Sequence, residues 1–542
     1  MESNKETGSQ ENDVKLRITA KNDGNGSRKS KSTLKRTHDY FKEYCNSTSI
    51  HGLKYLAESR SLGERLLWLT LILCSLSACA YLILQIYGKF QQSPVIVSFA
   101  TTESPIYTIP FPAVTICPLT KASKDIFDFT DIILKMRRNI SITEEERRYA
   151  KYMSLVCEVD NELFSEEVTF TEDIFEALDE MKIPVEETMT HCKFLNMKAA
   201  SCSDMFYPII LDQSICYTFN LLDRKYIYNE NVVHFKNYHY SNESTVGWTL
   251  DKGYEKTEDD RLNNPFRAFI SGADNALEVT FYQNISNNDP LCIQDVQGFS
   301  VLLHAPYAVP LLKKQYFNVG FDRVVMASVR PRAMSTSDKV LQFSSSIRQC
   351  YFSTEKKLKY FNIYSPRNCK LECLTNFTLK TCGCVSYYMP RVSGTPICGN
   401  ANYMCMERAE LRLKMKQLEE QIIDYEESFY CDCKPLCTDI TYDSEVSSSP
   451  WDFKPQWNVG ENRSFPDEEH YSKLLVYFEH DSFLTSERNE LYGPTDFLAN
   501  FGGLLGLFTG FSLLSAAEII YFLTVRMCCN FRLFGAWTGR QE

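Results

Sequence analysis

Two apolar runs constrain this chain more than anything else in it. Residues 66–87, LLWLTLILCSLSACAYLILQIY, hold no formal charge, and residues 497–523 hold one, Glu518. Each can cross a hydrocarbon core ~30 Å thick, the second with a tilt or a break. The first run is too long and too far from the N-terminus for a cleaved leader, so it reads as a signal-anchor. No other stretch reaches spanning length. The expected divisions are a cytosolic region 1–65, spans at 66–87 and 497–523, an ectodomain at 88–496 and a cytosolic tail at 524–542. Residues 1–35 are polar and poor in apolar side chains, and are expected to be disordered.

Charge sets the orientation. Residues 1–65 carry 13 Lys and Arg against 9 Asp and Glu, and residues 526–542 carry three against one. The stretch 91–495 carries 41 basic and 57 acidic residues. Basic flanks stay in the cytoplasm, which places both termini inside a plasma membrane and the ectodomain outside. Cysteine usage agrees: 16 of 21 cysteines fall between Cys117 and Cys437, an even number suited to an oxidising compartment. Five glycosylation sequons lie in the same region, at Asn139, Asn242, Asn284, Asn376 and Asn462, while those at Asn25 and Asn46 fall on the cytosolic side.

The ectodomain mixes β-rich runs, FPAVTIC (111–117) and GFSVLLHAP (298–306), with helical stretches, and reads as α+β and disulfide-rich. Residues 406–430 read as helix, with Leu411, Met415, Leu418, Ile422, Tyr425 and Phe429 at alternating spacings of four and three. Such a stripe is expected to pack into a core, an oligomer seam being the rarer use. Enzyme signatures are missing: the eight histidines are scattered, with no metalloprotease, nucleophile-elbow or phosphate-loop motif. The cysteines at 369, 373, 382, 384, 431, 433 and 437 resemble a zinc pattern only superficially. Their C-x-C spacing and oxidising setting favour a disulfide ladder over Cys350–Cys437, with no metal and no cofactor.

The second apolar run carries more than a membrane helix needs. Gly502, Gly506 and Gly510 recur every fourth residue, which close helix packing explains. Ser512, Ser515 and Glu518 are not explained that way, because a carboxylate in lipid is costly and faces a bundle interior or water. Backbone carbonyls at a glycine, with hydroxyls beside them and an acidic ring further in, make a cation filter. Several copies are needed to line a pore.

Here a resemblance becomes specific. SIHGLKYL before the first span, FPAVTICP after it, CYTFN at 216–220, YSPRNCKLECLTNFTLKTCGCVSYYMPR at 364–391, CDCKPLC at 431–437 and NFGGLLGLFTGFSLLSAAEIIYF at 500–522 resemble the degenerin, epithelial sodium and acid-sensing channel superfamily. Among its members the chain is most similar to insect pickpocket subunits. The resemblance implies a homo- or heterotrimer in a lipid bilayer, each subunit a hand of palm, finger, knuckle, β-ball and thumb. It implies an amiloride-sensitive, sodium-selective channel with Na+ as permeant ion, opened by an unidentified chemical, osmotic or mechanical stimulus, with an extracellular ligand as one candidate. Carried over by motif, the selectivity filter is Gly510-Phe511-Ser512. The pore and gate comprise Ala499, Asn500, Gly502, Gly503, Gly506, Ser515 and Glu518, and His51-Gly52 is the N-terminal gating pair.

The same comparison implies thumb disulfides Cys350–Cys437, Cys369–Cys433, Cys373–Cys431, Cys382–Cys405 and Cys384–Cys398. Outside the thumb it implies Cys117–Cys216 and Cys192–Cys202, leaving Cys157 with Cys292 by elimination. Asn500 and Ile347 stand where acid-sensing members carry an aspartate and a tryptophan, which argues against their form of proton gating. Three other kinds of protein share parts of this pattern. An ATP-gated two-span channel meets an acidic ectodomain that suits a polyanion poorly. A two-span ecto-nucleotidase lacks catalytic motifs. An auxiliary, non-conducting receptor subunit of the same fold shares most of these features.

Overall fold

The computed structural model describes residues 33–92, 95–159, 161–241, 247–255, 264–292, 296–311, 315–423, 431–457, 466–491, 493–535 and 537. The chain forms two compact units, one of residues 1–91 with 493–542 and one of residues 92–492.

The larger unit is built on two sheets. In one, the 14-residue strand Arg323–Thr336 pairs antiparallel with Asp439–Pro450 and parallel with Glu469–Phe478 and Ser486–Glu490. Glu469–Phe478 also pairs antiparallel with Leu277–Asn284, which continues to Met189–Phe194. The other sheet is antiparallel, ordered Phe317–Val319, Phe299–His304, Ala113–Pro118, Ser214–Phe219 and Tyr207–Leu211. The two runs read as strands from sequence, within 111–117 and 298–306, thus pair with each other, Ser300 opposite Cys117. Aromatic rings fill the space between the sheets. Phe111 meets Phe194 and Phe478 of the first sheet and Phe219 of the second at 5.1, 5.4 and 6.3 Å, and Phe281 stacks on Phe299 at 4.3 Å. Each such ring pair adds ~0.5–1.5 kcal/mol to the burial itself.

Local chemistry places the thumb helices. Ser365 caps the helix Pro366–Cys382 by accepting from the Asn368 N–H at 3.0 Å, Pro366 occupies the first turn, and Gly383 ends it at φ 75°. Two cysteines four apart on that helix, Cys369 and Cys373, bond Cys433 and Cys431 on the returning segment. The spacing fits: four helical residues rise ~6.0 Å, within the ~6.6–7.2 Å that two residues can span at most. This is why C-x-C, awkward for zinc, suits a ladder. Cys350–Cys437, Cys382–Cys405 and Cys384–Cys398 complete it. Cys117–Cys216, Cys157–Cys292 and Cys192–Cys202 lie elsewhere in the unit. Replacing Cys373 and Cys431 together by serine is expected to destabilise the thumb by ~2–4 kcal/mol. Surface delivery should fall while permeation of the channels that do arrive is retained. Free thiols or zinc at Cys369, Cys373, Cys431 and Cys433 in the unreduced protein would sink the ladder.

The helix Tyr403–Ile423 corrects the sequence reading of its buried face. Leu411, Met415 and Leu418 are 61%, 50% and 51% exposed, whereas Ala409 is fully buried and Leu413 nearly so. The bond from Cys405 to Cys382 fixes the helix rotation, and Cys405, Ala409 and Leu413, each four apart, then face Phe377. A count of bulky apolar residues overlooks that a small alanine allows the closest approach. Tyr425 and Phe429, the end of the expected stripe, lie outside the described residues, as do Asn242 and Asn462. Asn139 and Asn376 are exposed, and Asn284 is half-buried with its Oδ1 accepting from the Ser286 N–H and hydroxyl.

The smaller unit is helical. Thr33–Ser47 and Leu53–Ala57 precede Leu62–Gln92, and Pro494–Thr509, Leu513–Leu523 and Val525–Phe534 follow the ectodomain in sequence. Helix therefore begins at Thr33, inside the stretch read as disordered, the rest of which (1–32) lies outside the described residues. Among the described residues two helical stretches are long and apolar enough to cross a membrane, Leu62–Gln91 and Leu513–Phe534. The second joins Leu513–Leu523, whose end coincides with that of the expected span, to the further helix Val525–Phe534. Arg526 is accommodated there because it pairs with Glu43 and lies over the Phe522 ring at 4.5 Å.

Candidate functional site

The second apolar run is broken where its glycine and serines stand. Gly510 ends Pro494–Thr509 in the left-handed region, at φ 68°, its N–H bonded to the Gly506 carbonyl at 2.9 Å. An L side chain in that conformation costs ~1–2 kcal/mol, so glycine is the natural stop. Two residues on, Ser512 starts Leu513–Leu523. Its Oγ accepts from the Ser515 N–H at 3.2 Å, and Ser515 Oγ accepts from the Ser512 N–H at 3.1 Å. Reciprocal capping of this kind satisfies two donors that would otherwise lie bare in lipid.

A segment 460 residues away in sequence fastens the break. The His51 N–H donates to the Thr509 carbonyl at 2.9 Å, and Ser75 Oγ of Leu62–Gln92 donates to the Phe508 carbonyl at 2.6 Å. Ser49 Oγ lies 2.8 Å from Ser515 Oγ. Glu518 Oε2 accepts from the Ser49 N–H at 3.2 Å, Ser49 Oγ at 3.3 Å and Thr48 Oγ1 at 3.4 Å. Tyr40 donates to the Phe522 carbonyl at 2.6 Å. Gly52, at φ 87°, makes the turn, and a Cβ there would sit 2.9 Å from Ile72 Cδ1. One at Gly510 would sit 2.7 Å from His51 Nδ1. Both glycines are required by close approach as well as by conformation.

These contacts gather His51, Gly52, Gly510, Phe511, Ser512, Ser515 and Glu518 into one site. Ser515 is fully buried and Glu518 is engaged by residues 48–49, so both brace the break within this chain. Ala499, Asn500, Gly502 and Gly503 stand apart from it, exposed on Pro494–Thr509, and a Cβ at Gly502 or Gly503 would meet nothing within 4 Å. Among the described residues, the carbonyls of Gly510 and Phe511 accept no hydrogen bond. Sequence reasoning missed Tyr40, Thr48, Ser49 and Ser75. The one available signal was a serine within each apolar run, since a hydroxyl in lipid needs a partner.

His304 is buried, with Nε2 2.8 Å from Thr115 Oγ1 and Nδ1 3.0 Å from the Ala305 carbonyl. Burial, aided by Arg367, pushes its pKa down to about 3, so it stays neutral as a core residue. Among the described residues no group of three or more His, Cys, Asp or Glu could hold a metal ion.

A disulfide-rich, β-containing domain that lies in sequence between two spanning-length helical stretches, the second preceded by a break at a capped glycine, fits a two-span membrane channel. Residues 44–522 match the family model described as amiloride-sensitive sodium channel, and the chain belongs to that family. It is 28% identical to pickpocket protein 28 of Drosophila melanogaster over 517 residues, covering 93% of this chain and 80% of that one. To the sodium channel protein Nach of the same organism it is 24% identical over 513 residues, 92% and 89% of the two chains. To the bile acid-sensitive ion channel of Mus musculus it is 23% identical over 500 residues, 89% and 87%. These relatives are named as channels or pickpocket proteins, and none is named as an enzyme.

Proposed function

We propose that this chain is one subunit of a trimeric, sodium-selective, amiloride-sensitive channel of the plasma membrane, with both termini cytosolic. Gly510-Phe511-Ser512 forms its filter, and His51-Gly52 supports that filter from the cytosolic side. One observation carries the reading. The helix break is capped on both flanks and tied down by residues 48–51, yet the Gly510 and Phe511 carbonyls accept no hydrogen bond among the described residues. Three copies of such a pair around an axis can replace the hydration shell of a cation. The sodium-channel names of the family and of one relative support the choice of ion.

Ser512→Asn tests it. Asparagine is an equally good helix cap, so the downstream helix is kept while bulk is added at the filter. Under voltage clamp the variant is expected to carry less current, or to reverse nearer the K+ potential, at parental surface density. Unchanged current and selectivity would remove these residues from the filter.

A further inference from the structure

The smaller unit holds a cavity of about 550 Å³ beside the capped break, lined in part by Thr509 and Phe511 of that break and by His51 and Gly52 of the segment that fastens it. Trp68, Leu71, Ile72 and Leu76 form one wall, Leu505, Phe508 and Phe511 another, and residues 50–53 the third. Its hydroxyls are already spoken for: Ser75 donates to the Phe508 carbonyl and Thr509 Oγ1 to the Leu505 carbonyl. His51 and Trp68 supply the other polar side-chain groups among the lining residues. Packed interiors hold few voids larger than a water, and an apolar cavity of this kind stays dry.

We propose that the cavity holds the hydrocarbon chain of a bilayer lipid, which wedges residues 50–53 against the helix break. Depth favours this occupant. Trp68 and Leu76 lie 6 and 14 residues into a helix that begins at Leu62, or ~9 and ~21 Å along its axis. That range falls within a hydrocarbon core ~30 Å thick. Volume favours it too, since small-molecule pockets run from ~300 to ~1,000 Å³. A neighbouring helix is ~10–12 Å across, and the cavity would take only ~5–7 Å of its length. Leu71 and Leu76, both about half exposed, leave the rim open for a chain to enter. The inference rests on the two helices crossing a bilayer, but not on the channel conducting.

The test is photolabelling of the full-length protein in lipid nanodiscs with a diazirine-bearing palmitate analogue, followed by peptide mapping. Adducts are expected within 68–76 and 505–511, falling about tenfold with excess unlabelled palmitate. Leu76→Trp, which fills the cavity, is expected to lower them to the same degree. Leu84→Trp, on the same helix but outside the cavity, should leave them unchanged. Leu71→Phe fills less and serves if Leu76→Trp does not assemble. Labelling spread evenly over exposed helix faces, or insensitive to competitor and to both filling variants, would mean ordinary bilayer contact and overturn the proposal. Absence of cavity adducts, with cysteines placed at 71 and 76 cross-linking to a second copy, would overturn it in favour of a neighbouring subunit. Neither result depends on current, so a failure here is distinct from a failure of the channel assignment.

Discussion

Gly510→Ala is expected to abolish most of the current while leaving the protein at the surface. Two costs fall on one methyl group. The left-handed backbone at φ 68° costs a non-glycine residue ~1–2 kcal/mol. The new Cβ would also lie 2.7–2.8 Å from three atoms of the His51 ring. Overpacking of that order costs ~1–3 kcal/mol. His51 cannot simply retreat, because its N–H is bonded to Thr509 and its neighbour Ser49 is held by Ser515 and Glu518. Either residues 48–52 detach or the 510–512 backbone changes shape, and both outcomes distort the carbonyls assigned to the filter. Thermodynamic coupling to His51 separates the two costs. If the clash dominates, His51→Ala combined with Gly510→Ala should recover current that Gly510→Ala alone has lost. If backbone strain dominates, the double variant stays silent. Parental current in Gly510→Ala itself would refute both the filter and the docked segment.

Ala499→Val is expected to give a channel that conducts sodium without a stimulus. Ala499 lies exposed on Pro494–Thr509, one turn from Gly502 and Gly503, whose surfaces meet nothing in this chain. Three copies of that face can close around an axis only if the side chains there are small. Extra methyl groups overpack the closed state by ~1–3 kcal/mol, whereas an open pore has room for them. A penalty borne by one state shifts the population towards the other. About 3 kcal/mol across the trimer moves the equilibrium more than a hundredfold. The measurement is resting sodium current per channel at the cell surface. A current no higher than the parent's, with reduced surface density, would show that Ala499 packs against a neighbouring helix away from the gate.

The contrast between the two sites shows what sequence alone can carry. The break at 510–512 was legible because its causes are local. A glycine that tolerates positive φ and a serine that caps the next turn act through neighbours no more than four residues away. Ser365, Pro366 and Gly383 act just as locally at the ends of the first thumb helix, although their caps were not read from the sequence. The two spans and the even cysteine count follow from composition, and the pairing of the cysteines was reached only through family resemblance.

What sequence left open depends on which surfaces meet. Glu518 looked like part of an acidic ring, and its partners at 48–49 lie about 470 residues away. Arg526 lies beyond the span expected from sequence, on a further helix, Val525–Phe534, and its countercharge Glu43 is 483 residues distant. The exposed face of Tyr403–Ile423 was misread because the Cys382–Cys405 bond, not the bulk of Leu411 and Met415, sets its rotation. Backbone preferences and caps are written into a few adjacent residues, so the sequence determined where helices start, stop and break. The free energy of a buried carboxylate, a paired arginine or a helix face is fixed by its partners in space, and only the tertiary structure decided those.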